Sequence, residues 1–272
     1  VATITALLTF TYIPATEISA MIFTKVDHYS LMAIPMFVLA GGLMSKGGSA
    51  TRIIDFAKAC VGHLPGGLPI AAIFASIIFA AVSGSSPATV VAIGSIMFGA
   101  IVQAGYPRKY AVGTIATSGS LGILIPPSIV LIVYGVTAEV SIGKLFMAGV
   151  VPGIMIGIML MAVTYIGARR LGFKRTEPAP WKERLRTMKE ASWGLFTIVI
   201  VIGGIYGGIF TPTEAAAVAA IWAFIIAVFV YKDISLKEFP TIALDSAKTT
   251  AMIMFIIANA MLFAHFLTLE NI

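Results

Sequence analysis

Apolar residues dominate this chain in long blocks, near residues 2–23, 69–83 with 88–104, 110–136, 145–168, 192–210, 213–231 and 249–268, with short polar stretches between them. A helix needs about 20 apolar residues to cross the hydrocarbon core, and most blocks meet that length. In lipid each backbone amide must find its partner inside the protein, and an open-ended segment does this only as a helix. The pattern therefore predicts an all-α integral membrane protein. Two blocks are interrupted at mid-span by Gly, Ser and Pro. A further segment, Leu31 to Met44, is apolar for too few residues to cross and ends in Ser45-Lys46-Gly47-Gly48, which predicts a re-entrant hairpin over 31–48.

Composition narrows the class further. Of 272 residues, 59% are hydrophobic and 11% charged, with a mean hydropathy of +1.00. A soluble domain carries about 25% charged residues, so soluble, disordered and nucleic-acid-binding classes are excluded. The single cysteine, Cys60, forms no internal disulfide, and no Cys or His cluster has metal-ligand spacing. The chain starts at Val1 inside an apolar block, which reads as a fragment of a longer protein. Of the 18 Lys and Arg residues, eight lie between Arg169 and Lys189. Short basic loops stay cytoplasmic, so 169–190 is expected inside, 145–168 runs inward, and the turn near Thr211 faces out. Within that loop, Trp181 to Lys189 reads as a short amphipathic surface helix.

The breaks carry the candidate chemistry. In Ser83-Gly84-Ser85-Ser86-Pro87-Ala88-Thr89, Pro87 removes an amide donor, Gly84 frees the backbone and four hydroxyls sit where the helix stops. In Thr117-Ser118-Gly119-Ser120-Leu121-Gly122-Ile123-Leu124-Ile125-Pro126-Pro127-Ser128, two adjacent prolines deny two amides in succession. Unwound backbone at membrane depth belongs in buried protein or a wet cavity, and a pair of interrupted helices points to the binding site of a secondary transporter. A Ser/Gly packing motif with a proline kink is the competing reading of each break. Carbonyls and hydroxyls with few full charges favour sodium over protons as the coupling ion.

Several motifs resemble the large membrane subunit of tripartite ATP-independent periplasmic (TRAP) transporters. They are Ala33-Ile34-Pro35-Met36-Phe37-Val38-Leu39-Ala40-Gly41, Val61-Gly62-His63, Ala80 to Thr89, Leu121 to Ser128, Leu145-Phe146-Met147-Ala148-Gly149 with Pro152-Gly153, and Gly208 to Ala215. The resemblance covers essentially the whole chain in order. It implies an elevator-type carrier of the ion-transporter superfamily, built from inverted repeats with re-entrant hairpins and discontinuous helices in the bacterial inner membrane. It further implies sodium-driven uptake of an organic acid such as a C4-dicarboxylate or sialic acid, a periplasmic solute-binding protein and a small membrane subunit. Residues 1–168 would form the first repeat and 191–272 the start of the second, with a second hairpin over 246–270 and the remainder of that repeat absent. The implied sodium and substrate residues are Ser83, Gly84, Ser85, Ser86, Thr89, Thr117, Ser118, Gly119, Pro126, Pro127, Ser128 and Asn259, with Na+ at Ser83 to Ser86. Gly41-Gly42 would form the first hairpin tip.

Other classes fare worse on the residues. An intramembrane hydrolase using a serine of 83–86 needs a histidine base in reach, and no His lies at mid-span. A channel repeats identical segments around one ring, whereas these two breaks differ. A stand-alone carrier of the same superfamily, coupled to sodium or protons, remains the main alternative. His63 precedes turn residues and reads as an interfacial cap. Glu214 follows Thr211-Pro212-Thr213 as a first-turn acid at a helix N-terminus.

Overall fold

A computed structural model describes residues 20, 22–24, 26–173, 175 and 177–269, with the side chains at 265, 266 and 269 left out. The expected span at 2–23 falls almost wholly outside these residues. The described chain is helical throughout, with no strand. Apart from the three-residue helix Gly204–Tyr206, the α-helices among the described residues are α1 (Ala33–Lys46), α2 (Ser49–Val61), α3 (Gly67–Ser83), α4 (Ser86–Gln103), α5 (Arg108–Gly119), α6 (Leu121–Leu124), α7 (Ile129–Thr137), α8 (Ile142–Arg170), α9 (Trp181–Ile198), α10 (Pro212–Ile225) and α11 (Phe239–Leu269). A 3-10 turn, Tyr29–Met32, leads into α1. Two π-helical stretches, Val199–Gly203 and Ile226–Val230, prolong α9 and α10. Among the described residues six helices are long and apolar enough to cross a membrane, or seven if the bent pair Arg108–Leu124 and Ile129–Thr137 counts as one span.

Three expectations about local structure are corrected. Leu31 to Met44 is one continuous helical run, and Gly41 and Gly42 lie inside α1 instead of at a tip. Its one proline, Pro35, falls in the first turn, where the missing amide costs no helical bond. The chain leaves helical structure at Asp27 and His28 before it and at the Gly47-Gly48 turn after it. Residues 246–269 likewise belong to the unbroken α11, which contains no Gly or Pro beyond Pro240. The amphipathic segment at Trp181 is the first half of α9, whose Lys, Arg, Glu and Met residues are good helix formers and propagate into the apolar run that follows. Helix α8 runs through Arg170, which leaves only 171–180 as the connecting loop.

Small residues set the packing. Ala215, Ala216, Ala219, Ala220 and Ala223 form one buried stripe of α10 against Ala33, Ile34, Phe37, Ala40 and Met44 of α1. On α8, Gly149, Gly153 and Gly157 recur every four residues, one helical face. A Cβ added at these positions would lie 2.5 Å from the Leu124 carbonyl oxygen, 2.7 Å from the Ile125 side chain and 2.5 Å from Ile77. Without side chains there, α8 lies directly on α6 and α3. Its other faces, carrying Met147, Val151, Met155, Met159 and Val163, are exposed and apolar, as a lipid-facing surface must be.

The ends sort into two groups. At one, the Thr213 hydroxyl reaches the Tyr29 carbonyl at 3.5 Å. At the other, Arg52 pairs with Asp233 and lies over the Tyr231 ring. Because basic loops are retained inside, a cysteine at exposed Lys182 should be shielded from a membrane-impermeant maleimide, while one at exposed Ile209 should react in intact cells. Burial pushes the native Cys60 thiol up from its ordinary range and slows its background reaction. Labelling of Lys182→Cys alone would reverse the orientation.

Candidate functional site

The first break forms where α3 stops at Ser83 and α4 starts at Ser86. Gly84 caps α3 in the left-handed region at φ +62°, and its amide donates to the Ala80 carbonyl at 3.0 Å. Ser85 is extended and caps α4, its hydroxyl accepting the Ala88 amide at 3.5 Å. The Ser83 carbonyl ends α3 with no helical turn beyond it, because the chain turns left-handed at Gly84, and Pro87 falls in the first turn of α4, where its missing N–H costs no helical bond. Ser83 and Thr89 are fully buried, and their hydroxyls lie 3.1 Å apart. Both converge on the Ser85 carbonyl, with Thr89 Oγ1 at 2.9 Å and Ser83 Oγ at 3.5 Å. Three oxygens are thereby concentrated at a helix end inside the protein.

The second break is built by Ile125 to Ser128 between α6 and α7. Pro127 cannot donate to Ile123, and the Ser128 hydroxyl takes its place at 2.6 Å from the Ile123 carbonyl. Ser128, also buried, caps α7 by accepting the Leu131 amide. Pro126 and Pro127 are both buried and joined by a cis peptide bond.

The two breaks touch backbone to backbone. The Ile129 amide donates across to the Gly84 carbonyl at 3.0 Å. A Cβ on Gly84 would stand 2.6 Å from the Pro127 carbonyl oxygen, and one on Gly122 would stand 2.8 Å from the Ser86 nitrogen. Both glycines are thus required by contact, and Gly84 by its left-handed backbone as well. Helix α1 closes one side, with Gly41 against Ser83: a Cβ there would be 3.1 Å from the Ser83 Cβ and 3.3 Å from its carbonyl oxygen. The N-termini of α4 and α7, the positive ends of two helix dipoles, meet beside the C-termini of α3 and α6.

The structure brings Ser83, Gly84, Ser85, Ser86, Thr89, Pro126, Pro127 and Ser128 into one region. Ser118 and Gly119 adjoin it in a packing role: the Ser118 hydroxyl bonds Ser76 of α3 at 3.0 Å, and Gly119 lets Val90 of α4 approach. Thr117 is exposed and turned back on its own helix, donating to the Gly113 carbonyl at 2.7 Å. Asn259 lies on α11, which packs along α1, and its amide donates to the Phe255 carbonyl within the same helix. No hydrogen bond links it to either break among the described residues. The sequence reading missed Ser76, Gly41, Gly122 and the Ile129 amide as parts of this assembly. Gly122 stood within the break, but nothing local to Ser76 or Ile129 marks a cross-helix partner.

Fold and site together define a multi-pass, all-helical membrane protein in which two breaks between helices are locked against each other. The family described as the tripartite ATP-independent periplasmic transporter, DctM component, matches residues 1–272, and this chain belongs to it. It is 54% identical to a C4-dicarboxylate TRAP transporter large permease protein of Pseudomonas aeruginosa, over 94% of this chain and 60% of the relative. It is 49% identical to the corresponding C4-dicarboxylate protein of Rhodobacter capsulatus, over 99% and 64%. Identity to the sialic acid TRAP transporter large permease protein of Vibrio cholerae is 38%, over 91% and 58%. The chain therefore spans about 60% of the length of these relatives. They are transporter permeases and not enzymes, and the family together with the apolar spans places the chain in the inner membrane.

Proposed function

We propose that this chain supplies one half of the translocation site of a sodium-coupled carrier that takes up a C4-dicarboxylate. The observation that carries the reading is the locked pair of breaks, with the Gly84 carbonyl accepting the Ile129 amide at 3.0 Å beside the Ser83 carbonyl at the C-terminal end of α3. Hydroxyls of Ser83 and Thr89 and the carbonyls of Ser83 and Ser85 are hard oxygen ligands suited to an alkali cation. The N-termini of α4 and α7, capped by Ser85 and Ser128, favour a carboxylate. Substrate class follows the higher identity to the two C4-dicarboxylate permeases than to the sialic acid one. Because the breaks are joined through backbone contacts that leave no slack, they would move as one body, which suits an elevator stroke. The family's tripartite description supports two partners, a periplasmic solute-binding protein that delivers substrate and a small membrane subunit.

Reconstitution of the full-length permease with both partners tests this. Labelled succinate should enter proteoliposomes only under an inward sodium gradient and only with the binding protein outside. Uptake driven equally well by a proton gradient in sodium-free buffer would overturn the coupling. Uptake at full rate without the binding protein would favour a stand-alone carrier.

A further inference from the structure

The basic residues of this chain divide by whether an acid meets them. Lys46 pairs with Asp245, Arg52 with Asp233, Lys58 with Asp55, and Arg186 with Glu183 and Glu190. Of the bases without an ion-pair partner among the described residues, one group is clustered where α5 begins and α8 ends. Arg108, Lys109, Arg169 and Arg170 are all exposed, and none has an ion-pair partner among the described residues. The sequence explains the imbalance, since between Asp55 and Glu177 the only acid is Glu139. Glu139 lines a cavity with His28, Ser141 and Pro212, near the other end of α8.

Aromatic contacts hold the two helix ends together. The rings of Tyr106 and Phe173 stack at 3.7 Å, Tyr106 lies 5.7 Å from Tyr110, and the Tyr110 hydroxyl donates to the Thr164 carbonyl at 2.7 Å. Gly167 allows the Tyr110 ring to lie against α8. The seam therefore gathers four like charges without a compensating acid. Helix α5 adds to the imbalance: its N-cap is Pro107, no side chain bonds its first-turn amides, and its first two residues are basic at the positive end of the dipole. An anion at this seam would meet free amides and cationic side chains together. Beside the charges lie exposed apolar side chains of the same helix turns, Val112, Val163, Ile166 and Leu171, at 52%, 67%, 50% and 49% exposure. A soluble phosphate would leave that surface uncovered, whereas acyl chains would cover it.

We infer that the seam between the start of α5 and the end of α8 binds the phosphate headgroup of an anionic phospholipid of the inner leaflet, with its acyl chains on the apolar turns below. Basic pockets between membrane helices at this depth hold such headgroups, each Lys or Arg near the surface contributing about a fivefold gain in binding.

The test equilibrates purified full-length permease with mixed micelles of phosphatidylethanolamine and cardiolipin in equal amounts and measures co-purifying lipid by mass spectrometry. The protein should enrich cardiolipin, and Arg108→Gln/Lys109→Gln/Arg169→Gln/Arg170→Gln should lose that enrichment by at least about tenfold. A matched variant, Lys182→Gln/Lys189→Gln/Lys232→Gln/Lys237→Gln, removes the same charge from exposed positions elsewhere and should keep it. Retention by the seam variant, or equal loss in both, would overturn the site and leave only a diffuse surface charge. Should the fourfold seam variant fail to fold, Arg169→Gln/Arg170→Gln alone should lower cardiolipin at least about fivefold, and an unchanged level there would also reject the site.

Discussion

Gly84→Ala is expected to abolish uptake by the reconstituted transporter, although it adds one methyl group. The backbone there has φ +62°, where an L-residue is disfavoured by about 1–2 kcal/mol. The new Cβ would also meet the Pro127 carbonyl oxygen at 2.6 Å. Both partners are backbone atoms at buried helix ends, so neither yields as a flexible side chain would. Separation of the breaks would cost the Ile129 to Gly84 hydrogen bond and leave a buried amide unpaired. Gly99→Ala is the matched control: Gly99 lies inside α4 with open space around it, and the substitution should preserve uptake and stabilise the helix by about 0.5–1 kcal/mol. Uptake rates and thermal unfolding in detergent, measured on both variants, decide the matter. Wild-type uptake by Gly84→Ala would mean that the two breaks need not be locked for transport.

The positions of the breaks were legible because they are covalent facts. Pro87 and the Pro126-Pro127 pair lack amides in any fold, and the structure places Pro87 in the first turn of a new helix, α4, and stops α6 at Leu124 accordingly. Their mutual contact was not legible, because the approach of Gly84 to Pro127 and of Gly122 to Ser86 depends on tertiary packing. The first hairpin reading failed on a length argument, and the second rested on the resemblance alone. Apolar length undercounts a helix that begins in polar residues, as the Tyr29–Met32 turn does with His28 capping it, and that ends on Lys46. At α9 the opposite error occurred, since a charged amphipathic stretch and an apolar one were divided where no residue interrupts the helix. Thr117 shows a third limit. A hydroxyl in a membrane helix can satisfy itself on the carbonyl four residues back, so its presence near a break does not aim it there. The glycine spacing of α8, by contrast, could have been read from sequence as a close-packing face.

Thr89→Val should raise the sodium concentration for half-maximal uptake about five- to thirtyfold while leaving the fold intact. Valine matches threonine in shape and removes only the hydroxyl, so packing at this fully buried position is preserved. Loss of one oxygen ligand to a cation is comparable with loss of a buried hydrogen bond, about 1–2 kcal/mol. The structure also ranks the neighbouring serines. Ser83 shares the hydroxyl pair with Thr89, so Ser83→Ala should act in the same direction. The Ser85 hydroxyl caps α4, so Ser85→Ala should mainly destabilise that helix, by about 1 kcal/mol, with a smaller effect on sodium dependence. Ser86 is half-buried at the start of α4, and Ser86→Ala distinguishes a hydroxyl ligand there from a purely structural first-turn residue. Thr89→Ser restores the hydroxyl and should recover most of the wild-type sodium affinity, which a packing role for the Thr89 methyl would not predict. The measurement is uptake against sodium concentration with the binding protein saturating. An unchanged half-saturation in both Thr89→Val and Ser83→Ala, at normal maximal rate, would reduce the break to a packing kink and remove the hydroxyl pair from the ion site.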